Sequence, residues 1–346
     1  MNAPVLEIVR GCNLACGHCM VGQPDAPEFL PIADLRLILE KLSLAGFQMA
    51  GLTGAGELTL HPRLGEVLES FVHRGLAADL LTNGTRFREV LYPLLCDAGI
   101  RRRVIRIGFS LDGPTAEVHD RNRGSGSFAR VLEAIALCRL LGLSTYIKST
   151  LRRENLPLIR ESVGLAANLG VDQWRFIAPM PTRRSIAEAT IPSPNDVLEA
   201  RRLIASLESA SQGRIFWEGW MGSRLPPLGT CNAFRNFAVD HRGRHLVCSV
   251  LSCVESEPGE TPSSPEAVGS LVTQPLRETV HAHFLRLARL LTWRLGAREV
   301  MRPADFPLCY WCFYQNGKLD WLAEHPASPW SAGILRARAH GITPLS

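Results

Sequence analysis

Six short apolar or β-branched runs alternate with stretches of helical periodicity through the first half of the chain, and this alternation restricts the fold more than any other feature. The runs are "VLEIV", "MAGLT", "ADLLT", "VIRIGFS", "STYIKST" and "QWRFIA". Each has the length and residue types of a strand. The segments between them place apolar side chains three and four apart: Leu35, Ile38, Leu39 and Leu42 in one, Phe128, Val131, Ile135, Cys138 and Leu141 in another. Strands separated by helices pair in parallel through right-handed crossovers. The expected fold is therefore α/β, a doubly wound sheet or a partial barrel. Either one puts ligands beyond the carboxyl ends of its strands. The loops at that end read "RGCNLACGHC", "GAGELTLHP", "NGT", "LDGPTAEVHDRNRG", "LRRENLP" and "PMPTRRS", and function is expected there.

Beyond about residue 185 the texture changes. Proline- and serine-containing loops surround one helix-like stretch, Asn195 to Leu207, and lead to "IFWEGW". A hairpin-like run "FAVDHRGRHLVC", a helical segment over roughly 275–295 and "CYWC" follow. We place a boundary after residue 210 and expect a second, smaller domain over 211–346. The net charge of +5 is mild and the run Arg101 to Arg103 is isolated, which argues against a nucleic-acid partner. No apolar run reaches the ~18 residues of a membrane span, and no secretory signal pattern opens the chain. A cytoplasmic protein with no membrane association is expected. Its ten cysteines would there stay reduced, and would bind metal or do chemistry rather than form bridges.

Cys12, Cys16 and Cys19 sit in the first of these loops with CxxxCxxC spacing. A cubane [4Fe–4S] cluster carries four irons, each usually held by a thiolate. Three thiolates leave one iron open, and an open iron can chelate the amino and carboxylate groups of S-adenosylmethionine. Reduction then cleaves the sulfonium and releases a 5′-deoxyadenosyl radical. The alternative is a zinc site completed by a distant residue such as His18, although zinc motifs normally supply paired ligands.

"CNLACGHC" resembles the signature of the radical S-adenosylmethionine superfamily, and later loops resemble the family's motifs in order. "TGAGELTLHP" is similar to its glycine–glycine–glutamate motif, with Ala55 in place of one glycine. The resemblance implies a partial (β/α)6 TIM-like barrel and a backbone at Ala55, Gly56 and Glu57 that holds the amino group of S-adenosylmethionine. "TNGT" and "SLDGPTAEVHDRNRG" carry over Asn83, Ser110 and Arg123 as further contacts. His18 stands where the family often has an aromatic residue that packs on adenine.

Of the seven other cysteines, Cys96 and Cys138 lie in helical stretches and are expected in the core. "CNAFRNFAVDHRGRHLVC" has eleven residues between Cys231 and Gly243 and four more before Cys248. This resembles the opening of the family's cysteine-rich auxiliary domain in its half-sized "twitch" form. The resemblance implies one auxiliary [4Fe–4S] cluster on Cys231, Cys248, Cys309 and Cys312, with Cys253 as an alternative to Cys248. A structural zinc held by four cysteines would satisfy the same residues. Four thiolates saturate a cube, so this cluster should carry electrons.

Two clusters suggest a substrate radical that gives up an electron. Twitch enzymes of this architecture oxidise or epimerise aminocyclitols and amino sugars in antibiotic pathways, so the resemblance implies a dehydrogenase. That enzyme would take hydrogen from a carbinol carbon of an aminocyclitol or aminoglycoside-type carbohydrate and be reduced by flavodoxin or ferredoxin. An epimerase needs a hydrogen donor, typically a cysteine after a late strand, and "PMPTRRS" has none. A peptide maturase is the further alternative, although Cys12 leaves no room before it for the peptide-binding domain that many such enzymes carry. A carrier of electrons with no chemistry of its own is disfavoured by the S-adenosylmethionine motifs. Glu218 and Arg183 are the candidate catalytic residues, with Lys148, Arg175, Arg184 and Asp240 as further polar groups near the expected site.

Overall fold

The computed structural model describes residues 3–21, 26–211, 214–218, 231–252, 267–297, 300 and 308–344. Seven strands run parallel, each hydrogen-bonded to the next in chain order: β1 (Val5–Leu6), β2 (Met49–Leu52), β3 (Ala77–Thr82), β4 (Val104–Ser110), β5 (Thr145–Thr150), β6 (Gln173–Ile177) and β7 (Ile215–Glu218). All six expected strands are present. The seventh, within "IFWEGW", pairs Ile177 with Glu218 and carries the parallel sheet beyond residue 210. It is not legible as a barrel strand because it follows a long proline-bearing helix, Pro194–Ala210, after a break in the regular alternation.

Successive side chains on these strands face opposite ways, and the two faces differ in chemistry. Leu80, Ile107, Phe109, Ile147, Trp174 and Phe176 are buried in one apolar cluster with the helices. Helix Ile32–Leu44 adds Ile32, Leu35, Ile38, Leu39 and Leu42 to it, each worth about 1.5–3 kcal/mol when fully buried. Cys138 is part of this cluster. Cys96 is not. It closes the short helix Tyr92–Cys96 on the exposed side, because an apolar stripe assigns a face only on a helix longer than this one.

The opposite face is polar and continuous. Arg106 Nη2 lies 2.5 Å from Asp79 Oδ2, and Tyr146 Oη donates to Asp79 Oδ1 at 3.1 Å. The guanidiniums of Arg106 and Arg175 approach the Tyr146 ring, at 5.3 and 4.5 Å from its centroid. Lys148 Nζ donates to Glu218 Oε1 at 2.8 Å. A Cβ at Gly108 would come within 2.3 Å of the Tyr146 ring, so this strand position has room for glycine alone.

The hairpin that follows is built onto the same sheet. Strand β8 (Ala238–Val239) pairs in parallel with the other side of β1, β9 (Arg244–Leu246) is antiparallel to β8, and β10 (Ala267–Ser270) is antiparallel to β9. Backbone bonds from Val5 N to Phe237 O at 2.9 Å and from Glu7 N to Val239 O at 2.8 Å seal the junction. Asp240 closes the turn. It accepts from Arg242 N and Arg244 N and pairs with Arg244 Nε at 2.7 Å. These contacts place it in the hairpin turn, and it is not among the residues that line the cleft at the carboxyl ends of the strands. The expected helix near 275–295 spans Leu276–Gly296. Helix Leu308–Gln315 carries Cys309 and Cys312 and packs in an aromatic cluster with Trp321 and Trp330. Among the described residues no helix is long and apolar enough to cross a membrane.

Gly243 turns the hairpin at φ 71°, and a Cβ there would lie 2.4 Å from Val272 Cγ2. Gly243→Ala should cost about 1–3 kcal/mol for the left-handed backbone, with the Val272 clash added. Thermal unfolding read by circular dichroism checks this, and an unchanged melting temperature would contradict it.

Candidate functional site

The carboxyl ends of the strands open into one cleft of about 380 Å³. Cys12, Cys16 and Cys19 line it, together with His18, Ala55, Gly56, Glu57, Asn83, Ser110, Arg123, Lys148 and Glu218. From the C-terminal part of the chain, Ser249 and Val250 line it as well. Arg183 is not among the lining residues. Its guanidinium lies 3.4 Å from Glu324 and 5.2 Å from the centre of the Trp321 ring.

Two backbone bonds clamp the cysteine loop to the loop after β2. Gly11 N donates to Ala55 O at 3.2 Å and Glu57 N donates to Gly11 O at 3.0 Å. A Cβ at Gly56 would meet Gly11 O at 2.3 Å and Val9 O at 2.7 Å. Both obstacles are backbone, so only glycine permits this crossing. The Glu57 carboxylate is also occupied. Oε1 accepts from Thr59 N, Thr59 Oγ1 and Thr82 Oγ1, and Oε2 accepts from Asn83 N at 2.7 Å. It braces the β2 and β3 loops together beside the cleft.

Each cysteine has a polar neighbour. Leu14 N and Asn83 Nδ2 donate to Cys12 Sγ at 3.4 and 3.6 Å. Arg123 Nη1 lies 3.8 Å from Cys16 Sγ. Cys19 N donates to Cys16 O at 3.0 Å. Burial pushes the Cys12 thiol up to about 11 and raises Cys16 as well, so both are neutral thiols at pH 7, and holding a metal would release their protons.

Beneath this loop lies a charged network that the sequence does not reveal. Asp112 is almost fully buried. It accepts from Arg123 Nε and Asn122 Nδ2 at 2.6 Å each and from Thr150 N at 3.2 Å. Burial would raise its pKa, but Arg123 and His18 outweigh burial and hold it well below the carboxylate range. His18 sits 2.8 Å from Asn122 Nδ2, and burial lowers its pKa to about 4. Its ring is thus neutral at pH 7 and held at the cleft wall. Arg184 reaches across to Ala15 O at 3.1 Å. At the mouth, Glu218 stays ionised. Burial would raise its pKa, but Lys148 first and Arg175 next lower it. Its Oε2 is buried with no hydrogen-bond partner among the described residues and lies 4.0 Å from Arg175 Nη1.

The second cysteine set assembles from three segments. Cys231 precedes the turn Asn232–Arg235, Cys248 precedes the turn Ser249–Ser252, and Cys309 and Cys312 lie one turn apart on helix Leu308–Gln315. No disulfide joins them. Burial raises the Cys309 pKa well above its usual value, and the charges of Cys312, Cys231 and Cys248 raise it further. Cys248 is pushed up to about 12 by burial and then by Cys231 and Cys312. Cys248, Cys309 and Cys312 pack against one apolar cluster and Cys231 and Cys248 against a second, so the four half-buried thiols gather in one region. Cys253 lies outside the described residues. Among the described residues no three His, Cys, Asp or Glu side chains close around a point as a single bound ion requires. A cubane takes one thiolate per iron, so its ligands need not meet at a point. Three thiols facing a cleft and four gathered in one region are donor sets that fit such clusters.

One buried acid lies behind the site. A Cβ at Gly54 (φ 130°) would come within 2.2 Å of Glu7 Cγ, so the side chain fills the space under the β2 loop. Burial first and Asp240 next raise the Glu7 pKa from 4.5 to about 8. The folded protein keeps this proton where the unfolded chain releases it, so the group destabilises the fold as pH rises from about 4.5 to about 8, by about 1.4 kcal/mol per pH unit at most. Glu7→Gln should raise the melting temperature at pH 8 by several degrees relative to wild type, and the gain should shrink toward pH 5. A gain independent of pH would show that Glu7 is ionised in the fold.

Residues 6–161 match the family model of the radical SAM superfamily. The chain is 30% identical over 182 residues to an AdoMet-dependent heme synthase of Oleidesulfovibrio alaskensis, covering 52% of this chain and 46% of that one. It is 29% identical over 296 residues to the mycofactocin maturase MftC of Mycobacterium tuberculosis (strain H37Rv), covering 82% of this chain and 67% of that one. Its fold is similar to that of anSMEcpe, solved with bound AdoMet and a Cp18Cys peptide, with a TM-score of 0.61, 17% identity, and 80% and 79% of the two chains covered. The chain spans about half the length of the heme synthases it matches.

Proposed function

We propose that the chain, whose residues 6–161 match the radical SAM superfamily model, is a radical SAM oxidase of a peptide substrate that works with two [4Fe–4S] clusters. The observation that carries this reading is a cleft lined by Cys12, Cys16 and Cys19, with Ser249 and Val250, the two residues after Cys248, in another part of its wall. In this reading Cys12, Cys16 and Cys19 hold the first cluster. Ala55, Gly56 and Glu57 present backbone groups to S-adenosylmethionine, with Asn83, Ser110, Arg123 and His18 around it. Cys231, Cys248, Cys309 and Cys312 hold the second cluster in a twitch-type domain over 211–346, and a flavodoxin or ferredoxin supplies electrons.

When bound, the first cluster supplies the electron that splits S-adenosylmethionine into methionine and the 5′-deoxyadenosyl radical, and the second supplies an acceptor for the electron that the oxidised substrate gives up. The chain's own residues set what happens between. Glu218 offers an ionised oxygen with no hydrogen-bond partner among the described residues and is anchored by Lys148 through the other, which makes it the base for the proton that the substrate loses. The substrate thus loses a hydrogen atom, then a proton and an electron, two hydrogens in all.

The peptide assignment draws on MftC, whose similarity extends over 82% of this chain, and on the peptide bound in the similarly folded anSMEcpe. It replaces the aminocyclitol or aminoglycoside-type substrate expected from the sequence, while the oxidative chemistry is retained. Anaerobically reconstituted protein should hold about eight irons, and about four after Cys12, Cys16 and Cys19 are changed to Ala. Reduced wild type should release 5′-deoxyadenosine, and Cys12→Ala should release none. Single turnovers with candidate peptides and with aminocyclitols, read by mass spectrometry, should give a two-hydrogen loss in a peptide, one per 5′-deoxyadenosine. Glu218→Gln should slow product formation more than S-adenosylmethionine cleavage, by about 10²-fold or more as for a lost general base. A redox-neutral product with hydrogen from solvent would instead identify an epimerase, and oxidation of the cyclitol alone would restore the carbohydrate reading.

A further inference from the structure

Helix Leu276–Gly296 buries Thr279, His283, Leu287, Leu290 and Arg294, a stripe at three- and four-residue spacing that faces inward. Leucines occupy the middle of it, and an arginine occupies the end. Arg294 is 8% exposed. A buried guanidinium is stable only beside a compensating charge. Among the described residues no carboxylate pairs with it, and its Nε is buried with no hydrogen-bond partner. Its Nη2 donates instead to Cys312 Sγ. Cys312 belongs to the second cysteine set, whose thiols would be thiolates once they hold a cluster. Its compensating charge is thus the second cysteine set itself.

That pairing has a consequence for electron transfer. Reduction adds one negative charge to a cluster, and a fixed positive charge beside it stabilises the reduced form. Net charge and hydrogen bonds to sulfur are among the factors that set cluster potentials. Arginine remains protonated throughout the accessible pH range, so the effect is permanent. Arg294 lies on a helix that carries none of the cysteines, so it acts on the cluster without being one of its ligands.

We infer that Arg294 is a positioning residue whose guanidinium, hydrogen-bonded to Cys312, raises the reduction potential of the second cluster and so makes it an electron acceptor. This rests on the two-cluster reading above. The test uses the full chain with Cys12, Cys16 and Cys19 changed to Ala, so that only the second cluster remains, and compares it with the same protein carrying Arg294→Gln or Arg294→Lys. Iron is counted, and the midpoint potential is read by EPR-monitored titration. The parent should hold about four irons, the Gln variant should titrate at a lower potential, and the Lys variant should stay close to the parent. Loss of iron from Gln with full loading in Lys also supports a charge role. Equal potentials in parent and Gln, or loss of iron from both variants with the fold intact by circular dichroism, overturn the inference and leave the two-cluster reading standing. A parent without iron, or with zinc in its place, overturns the two-cluster reading and the inference with it.

Discussion

The crossing of Gly11 over Gly56 is the constraint from which the rest of the cleft follows. Two backbone bonds join the loops at that point, and the separation leaves no volume for a single methyl group. The cysteine loop therefore takes its position from main chain, which is stiffer than side-chain contact. Asn13 and Asn83 extend the clamp to the β3 loop through a 2.9 Å bond, and Glu57 ties the same loop from below. Three strand ends thus become one rigid rim. A site built this way holds its ligands in place before any cofactor arrives, so little ordering cost is left for binding.

The same rim governs the C-terminal half through a shared sheet. Strand β1 has β2 on one side and β8 on the other, so the first cysteine loop and the hairpin leading to Cys248 start from adjacent strands. Lys41, in the last turn of helix Ile32–Leu44, donates to Leu271 O and Gln274 O and fixes the far end of that hairpin. Distance between the two cysteine sets is then set by hydrogen-bonded strands. A hinge between independent domains would leave it variable, whereas electron transfer between sites benefits from a fixed span.

Legibility follows the range of the interactions involved. Strand and helix positions come from periodicity, which is a local property, and the first three cysteines come from spacing within one loop. Glu7 under Gly54, Asp112 under His18 and Arg294 against Cys312 each join residues far apart in sequence, and none carries a local signature. Arg294 even occupies a position that the helical stripe would assign to an apolar residue. The motif at Glu57 points to its backbone, while the structure adds a side chain with four hydrogen bonds. Arg183 shows a placement that local sequence does not reveal. An arginine after a barrel strand suggests the site, but Trp321 and Glu324 from the C-terminal part of the chain draw it away. Asp240 is held in its turn by Arg244, a local contact.

Each cysteine set has one buried arginine at a sulfur, and the two differ in what lies behind the guanidinium. Arg123 reaches Cys16 and is paired with Asp112 at 2.6 Å, so a buried carboxylate offsets part of its charge at the sulfur. Arg294 reaches Cys312 with no carboxylate partner among the described residues, so no such offset acts there. Under the proposed scheme the first cluster must be a strong reductant and the second an oxidant for the substrate. A partly offset arginine at the first set would raise its potential less than an uncompensated one at the second. Under that scheme the placement of one aspartate would favour electron flow toward the second set.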